Sequence, residues 1–259
     1  MSGLTEQAYE YRGISFVAGN ETITNEKLAA LIASPKIREW VNDQVDGGVV
    51  HTTSVKVNDI KFFGPVSPER VGFVVGEGTS TEVSSGDKIA SSYVFIRGGS
   101  VAVFVRALVV DGDGDVVGDY GIFTEQIRYP VGRKLQEACA GCVDSQTKNI
   151  RGVALTELEE ELGIIINTED GTSLVSLGSI TPSGGGTYES IELFYLSVTF
   201  TESEVLDKIN RVYGADDTEK IRLVFVPTSE MDEYLDKIGD VKAECAWRRI
   251  LYRGNLGQI

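Results

Sequence analysis

Nine residues, Thr156-Glu157-Leu158-Glu159-Glu160-Glu161-Leu162-Gly163-Ile164, restrict the possible folds more than any other stretch of the chain. On a helix, Glu157, Glu160 and Glu161 fall within an arc of about 100°. Ala154, Leu155, Leu158 and Leu162 take the neighbouring arc, and Gly163 is placed to end the helix. Such a helix must lay one side on a core and present acid beside it. Like charges at i,i+3 and i,i+4 cost about 0.2–0.5 kcal/mol each on an exposed helix. A hard divalent cation reverses that sign, because Mg²⁺ takes carboxylate oxygens together with substrate phosphate. On these residues alone, a solvated acidic face on an acidic protein is the alternative reading.

The pattern along the chain sets the context of that helix. Leu28, Leu31, Ile32, Ile37, Trp40 and Val41 are spaced for a buried helical face across about residues 25–45. β-like patterns follow: Val49–Phe63 alternates loosely, Val71–Val75 is a short apolar run, and Glu82–Asp87 is rich in turn residues. Two strong strands are expected at Tyr93–Ile96 and Val101–Val110, then a turn at Asp111–Asp115 and a strand at Tyr120–Ile127. The alternating acids of that turn lack the glycine position and distal glutamate of a calcium loop, so a hairpin is the better reading. The acidic helix spans about Arg151–Leu162. Strands at Leu174–Thr181, Ile191–Phe200 and Ile221–Pro227, and helices at Ser203–Asn210, Ser229–Lys237 and Val241–Tyr252, complete the pattern. Strands, a helix, then further strands and helices fit an α/β (α+β) protein with a mixed sheet packed between helices. The boundary falls at the turn-rich stretch. Residues 1–87 form a helix plus a small β-rich unit, and 88–259 form the main domain.

Several segments, in order, resemble the Nudix hydrolases, in particular the branch that cleaves ADP-sugars and ADP-ribose. Glu137-Ala138-Cys139-Ala140-Gly141 stands where those enzymes carry ELPAG. Glu157, Glu160, Glu161, Gly163 and Ile164 match the end of the Nudix box, G-x5-E-x7-R-E-U-x-E-E-x-G-U (U aliphatic). Phe123-Thr124-Glu125-Gln126-Ile127-Arg128-Tyr129-Pro130 is similar to their TEQ-x-R-x-P strand, and Phe95-Ile96-Arg97-Gly98 to the strand that opens the domain. Pro182-Ser183-Gly184-Gly185-Gly186-Thr187-Tyr188-Glu189 resembles their glycine-rich loop, whose glutamate lies beside the bound diphosphate. Two positions depart from the box: Lys148 replaces its first glutamate, and Thr156 replaces the arginine that pairs with the helix glutamates.

The resemblance implies a Nudix α/β/α sandwich with a mixed sheet, preceded by the β-rich unit, through which relatives form homodimers. It implies Mg²⁺ or Mn²⁺ held by Glu157, Glu160, Glu161 and the backbone carbonyl of Ala140. It also implies Glu189 as general base, with Glu160 as a further, indirect contributor. Arg97 and Arg128 could grip phosphate or ribose through forked hydrogen bonds, or serve as internal ion pairs. Gly185 and Gly186 would let the backbone approach an anionic substrate closely.

Composition excludes other classes. A net charge of −15 argues against a general nucleic-acid or anionic-membrane surface, which needs clustered Lys and Arg. A small anionic substrate would need metal and local positive charge, for which Arg97, Arg128 and Arg133 are available. His51 is the lone histidine, so Ser-His-Asp and Cys-His mechanisms have almost no material. Cys139, Cys142 and Cys245 are odd in number and too few, with His51, for a convincing zinc site. Reduced thiols and a cytoplasmic location are expected, with no signal segment and no stretch of about 18 apolar residues to span a bilayer. Two functions stay open. One is metal-dependent hydrolysis of the diphosphate of a nucleotide sugar to a nucleoside monophosphate and a sugar phosphate. The other is a catalytically weakened Nudix-fold nucleotide-binding or regulatory module, which Thr156 and Lys148 favour.

Overall fold

A computed structural model describes residues 9–90, 92–143, 149–166, 174–215 and 219–257 of the chain. They cluster into two compact units. The first runs to Gly99 and also takes up Ser183–Glu189; the second holds the remaining described residues.

The first unit begins with a tight hairpin of β1 (Tyr9–Tyr11) and β2 (Ile14–Ala18). Arg12 and Gly13 supply its turn at φ +50° and +82°, the left-handed pair that suits the twist of two-residue hairpins. β2 then pairs in parallel with β3 (Val50–Phe62), which requires a crossover. The crossover is helical. The single helix expected over 25–45 is in fact two, α1 (Asn25–Ala33) and α2 (Pro35–Asp46). Pro35 lacks the N–H that a continuous helix needs, so it opens a new helix at its N1 position. Leu28, Leu31, Ile37, Trp40 and Val41 turn inward onto Phe16, Val55 and Val57 of the sheet. β3 and β4 (Val71–Glu82) form a long antiparallel ribbon, so the apolar run at Val71–Val75 is only the start of a strand. Val74–Glu77 of β4 pair with Tyr93–Ile96.

Those last residues begin β5 (Tyr93–Val110), one strand where the sequence suggested two. Arg97-Gly98-Gly99-Ser100 resembles a turn, and Gly98 sits at φ +90°, yet the backbone continues extended. In the second unit Ser100–Val103 pair with β8 (Cys139–Cys142), and Val105–Val110 pair with β6 (Val116–Arg128) across the Asp111–Asp115 hairpin. Asp111 Oδ1 accepts from the N–H groups of Asp113 and Asp115, which closes that turn from within. β6 also pairs with β7 (Arg133–Glu137) and β11 (Arg222–Pro227), and β9 (Val175–Ile180) pairs with β10 (Thr187–Thr201).

Alternation along β5 builds two cores in this unit. Val101, Val103 and Val105 pack with Leu158 and Leu162 of α3 (Ile150–Leu162). Ala102 and Phe104 pack with Met231 and Leu235 of α5 (Met231–Ile238) and with Trp247 and Ile250 of α6 (Val241–Asn255). A strand buried on both faces reads as a continuous apolar run, and residues 101–105 do. The sheet is therefore sandwiched between helices, as expected. α4 (Glu202–Asn210), opened by a Thr201–Glu204 capping box, completes the helices of the described residues. The short strands β1, β2, β7 and β8 had no clear sequence signal.

Candidate active site

Asn149 caps α3 by accepting the Gly152 N–H at 2.9 Å, and Gly163 ends it at φ +60°. Between these caps the helix is amphipathic in the way its sequence requires. Ala154, Leu158 and Leu162 are fully buried, Glu161 is 4% exposed, Glu157 is half-buried, and Glu160 is exposed. Glu161 Oε2 accepts the Ala140 N–H of β8 at 3.1 Å, and the Cys139 thiol also donates to Glu161. A Cβ on Gly141 would overlap the Glu157 carboxylate, so glycine there is what lets Glu157 lie against β8. Two of the three helix carboxylates thus converge on the strand that carries Ala140, and Glu160 stands at their edge.

Electrostatics mark this pair as unusual. Burial, reinforced by Glu160 and Glu219, pushes Glu157 up to about 7. Burial and the neighbouring Glu157 push Glu161 to about 7 as well. Burial and Glu161 raise the Cys139 thiol. Among the described residues no Lys or Arg forms an ion pair with Glu157 or Glu161. Carboxylates held together without a countercharge have the donor chemistry of a hard divalent cation. No three His, Cys, Asp or Glu side chains among the described residues are close enough to hold a metal alone. Mg²⁺ commonly completes its shell with backbone carbonyl, water and substrate oxygens, so two carboxylates and a strand carbonyl still fit it.

The segment entering β8 is tied down by Arg128, for which the sequence left an internal ion pair open, and by Asp240 and Lys242, which sequence reasoning missed. Glu137 pairs with Arg128 Nε at 2.6 Å and with Lys242 Nζ at 3.0 Å. Lys242 also reaches Asp240 at 2.8 Å, and Asp240 Oδ2 accepts the Ala138 N–H at 2.8 Å. Burial would raise the Glu137 carboxyl, but Lys242 and Arg128 more than offset that and hold it below the ordinary range. Arg128, a candidate phosphate grip, is therefore engaged in an internal pair. Asp240 lies more than a hundred residues from Ala138 in the chain, and no local pattern could have joined them.

Thr156, at the arginine position of the Nudix box, donates to Gly152 O one turn back at 3.2 Å and makes no side-chain hydrogen bond to a glutamate among the described residues. Lys148, the other departure, lies outside the described residues.

In the first unit, Glu189 is 10% exposed and pairs with Arg97 Nη1 at 3.1 Å. Gly186 O accepts the Phe95 N–H at 2.8 Å. Gly185 and Gly186 have ordinary φ, and a Cβ on either would meet nothing within 4 Å. His51 is exposed on β3. Cys139, Cys142 and Cys245 are free thiols.

A mixed sheet between helices, with a carboxylate-bearing helix laid on the strand that carries the ELPAG-like segment, fits the Nudix class of fold. Comparison with known proteins agrees. The chain is 28% identical over 186 residues to Nudix hydrolase 14, chloroplastic, of Arabidopsis thaliana. That match takes in 69% of this chain and spans 58% of the length of the relative. The crystal structure of an ADP compounds hydrolase is similar over 79% of this chain and 97% of its own, at a TM-score of 0.52 and 14% identity. No family model matches the chain. The chain has the Nudix fold and is similar in sequence to a Nudix hydrolase.

Proposed function

We propose that the protein hydrolyses the diphosphate of a small nucleotide compound in a divalent-metal-dependent reaction. A nucleotide sugar such as an ADP-sugar or ADP-ribose is the substrate class. The observation that carries this reading is the buried Glu157–Glu161 pair, set against β8 by Gly141 and lacking any cationic partner among the described residues. A pair so costly to the fold is accounted for by a cation that binds there. Glu157, Glu161 and the Ala140 carbonyl would hold Mg²⁺ or Mn²⁺, with Glu160 contributing from the exposed edge. The ion, when bound, neutralises charge on the diphosphate and makes an attacking water more acidic. Glu189 accepts the proton of that water, and Arg97 fixes the orientation of its carboxylate. The water oxygen bonds to phosphorus as the bridging P–O bond breaks, releasing a nucleoside monophosphate and a sugar phosphate. Gly185 and Gly186 leave the loop backbone open to close approach. Free thiols fit a reducing compartment such as the cytoplasm. No helix among the described residues is long and apolar enough to cross a membrane.

Turnover on a panel of nucleotide sugars with Mg²⁺ and with Mn²⁺, using Glu161→Gln as control, tests the proposal. Metal-dependent release of nucleoside monophosphate, lost in the variant, is the expected result. Tight binding of one compound without turnover of any would favour the second reading, a nucleotide-binding module. The hydroxyl of Thr156, spent on its own helix, is the observation behind that alternative. Homodimerisation, proposed from the resemblance, is checked by light scattering. The mass of a single 28.1 kDa chain would remove it.

A further inference from the structure

The first unit contains a cavity of about 310 Å³ whose lining does not match the chemistry of a diphosphate. No Asp, Glu, Lys, Arg or His lines it among the described residues. An anion entering an uncharged pocket of a protein with net charge −15 would lose hydration without a countercharge. Neither Glu189 nor Arg97 is on its wall, whereas Tyr188 is. Successive residues of a strand face opposite ways, and β10 shows it here. The Tyr188 hydroxyl donates to Asp43 of α2 at 2.5 Å, while Glu189 turns to Arg97. The cavity therefore lies on the face of the loop strand away from the candidate base.

What lines the cavity is a set of apolar rings and unspent hydrogen-bonding groups. Trp40, Tyr93 and Tyr188 contribute aromatic surface. Trp40 is only 5% exposed and reaches the cavity from the core side, edge-on to Phe16. Thr52 and Ser80 are 7% exposed and bond to each other at 2.9 Å; one proton serves both, so a donor and several lone pairs remain. Gln44 adds an amide. Gly185 and Gly186 form part of the wall, and neither backbone angle nor crowding requires glycine at either position. Side chains there would fill the space that the loop leaves open.

We infer that this cavity is a second binding site, separate from the diphosphate site, for an uncharged polyhydroxylated ring. The volume lies at the lower end of small-molecule sites, about 300–1,000 Å³. Aromatic faces pack on the C–H faces of such a ring, and the hydroxyl and amide groups bond its hydroxyls. A free sugar and the ribose of an unphosphorylated nucleoside share that chemistry.

Isothermal titration of the full chain with glucose, ribose and adenosine, and with glucose 1-phosphate and adenosine monophosphate, tests the inference by binding alone. Its outcome is therefore separable from that of the turnover assay. At least one neutral compound is expected to bind without added metal. Its affinity should fall about tenfold or more in both Tyr93→Ala and Thr52→Val and be unchanged in Glu161→Gln. Tyr93 is exposed, so its truncation keeps the test valid if the buried Thr52 variant fails to fold. Whichever neutral compound binds names the source. The inference is overturned if no neutral compound binds at millimolar concentration, if Tyr93→Ala binds as the native chain does, or if Glu161→Gln abolishes binding.

Discussion

Gly141 and the two glutamates it accommodates show most directly how single residues set the chemistry. A methyl group at position 141 would occupy the place of the Glu157 carboxylate. Gly141→Ala is therefore expected to cost about tenfold or more in turnover, the usual scale for disturbing ligand positioning at a metal site. Its melting temperature should change little. Steady-state kinetics alongside a thermal melt separates the two effects. The same pair costs the metal-free fold stability. Each carboxyl rises from 4.5 to about 7 on folding, so the folded chain binds protons more readily than the unfolded one. The penalty is absent below about pH 4.5, grows as pH rises, and is complete above about 7. In chelated protein, Glu157→Gln should melt about 2–4 °C higher than the native chain at pH 8 and show no gain near pH 4.5. A melt series across that range, repeated with Mg²⁺ to show the gain vanish or reverse, measures it.

At the scale of elements, the entry to β8 is held from a distance by the start of α6. Asp240 caps α6 by accepting the Lys242 N–H and also binds the Ala138 N–H, while Lys242 neutralises both Asp240 and Glu137. The Lys242 side chain is 15% exposed, so its pairs are shielded from solvent. Lys242→Met leaves two buried carboxylates with less countercharge and is expected to cost about 3 kcal/mol or more. Urea denaturation reads that loss. Smaller effects belong to exposed caps: Thr201→Ala removes one side of the α4 capping box and should cost about 1 kcal/mol. α3 was the most legible element, because its stripe, its acid arc and Gly163 all agree on one helix. β5 was the least, because Gly98 and Gly99 look like a break when read locally. The strand continues because β4 and β8 each supply it with hydrogen-bonding partners.

For the whole molecule, charge is the property that sequence states outright. With a net charge of −15 and a pI near 4.6, the folded chain repels itself at neutral pH. Salt should relieve this. Raising NaCl from about 0.05 to 0.5 M is expected to raise the melting temperature by a few °C, and a fall would argue against net repulsion.

The sandwich of sheet and helices, the acidic helix and the candidate residues were all readable in one dimension, since periodicity, caps and short motifs are local. Which carboxylates actually meet was not readable. Glu157 and Glu161 turn to β8 while Glu160 faces solvent, because the packing of Leu158 and Leu162 on the sheet rotates the helix that way. Arg128 and Arg97 were candidate substrate grips. Only the folded chain shows them paired to Glu137 and Glu189, as the charges nearest in space rather than in sequence. The uncharged cavity is likewise a product of tertiary structure. Trp40, Ser80, Tyr93 and Tyr188 come from separate segments, and no local pattern predicts that they share one wall.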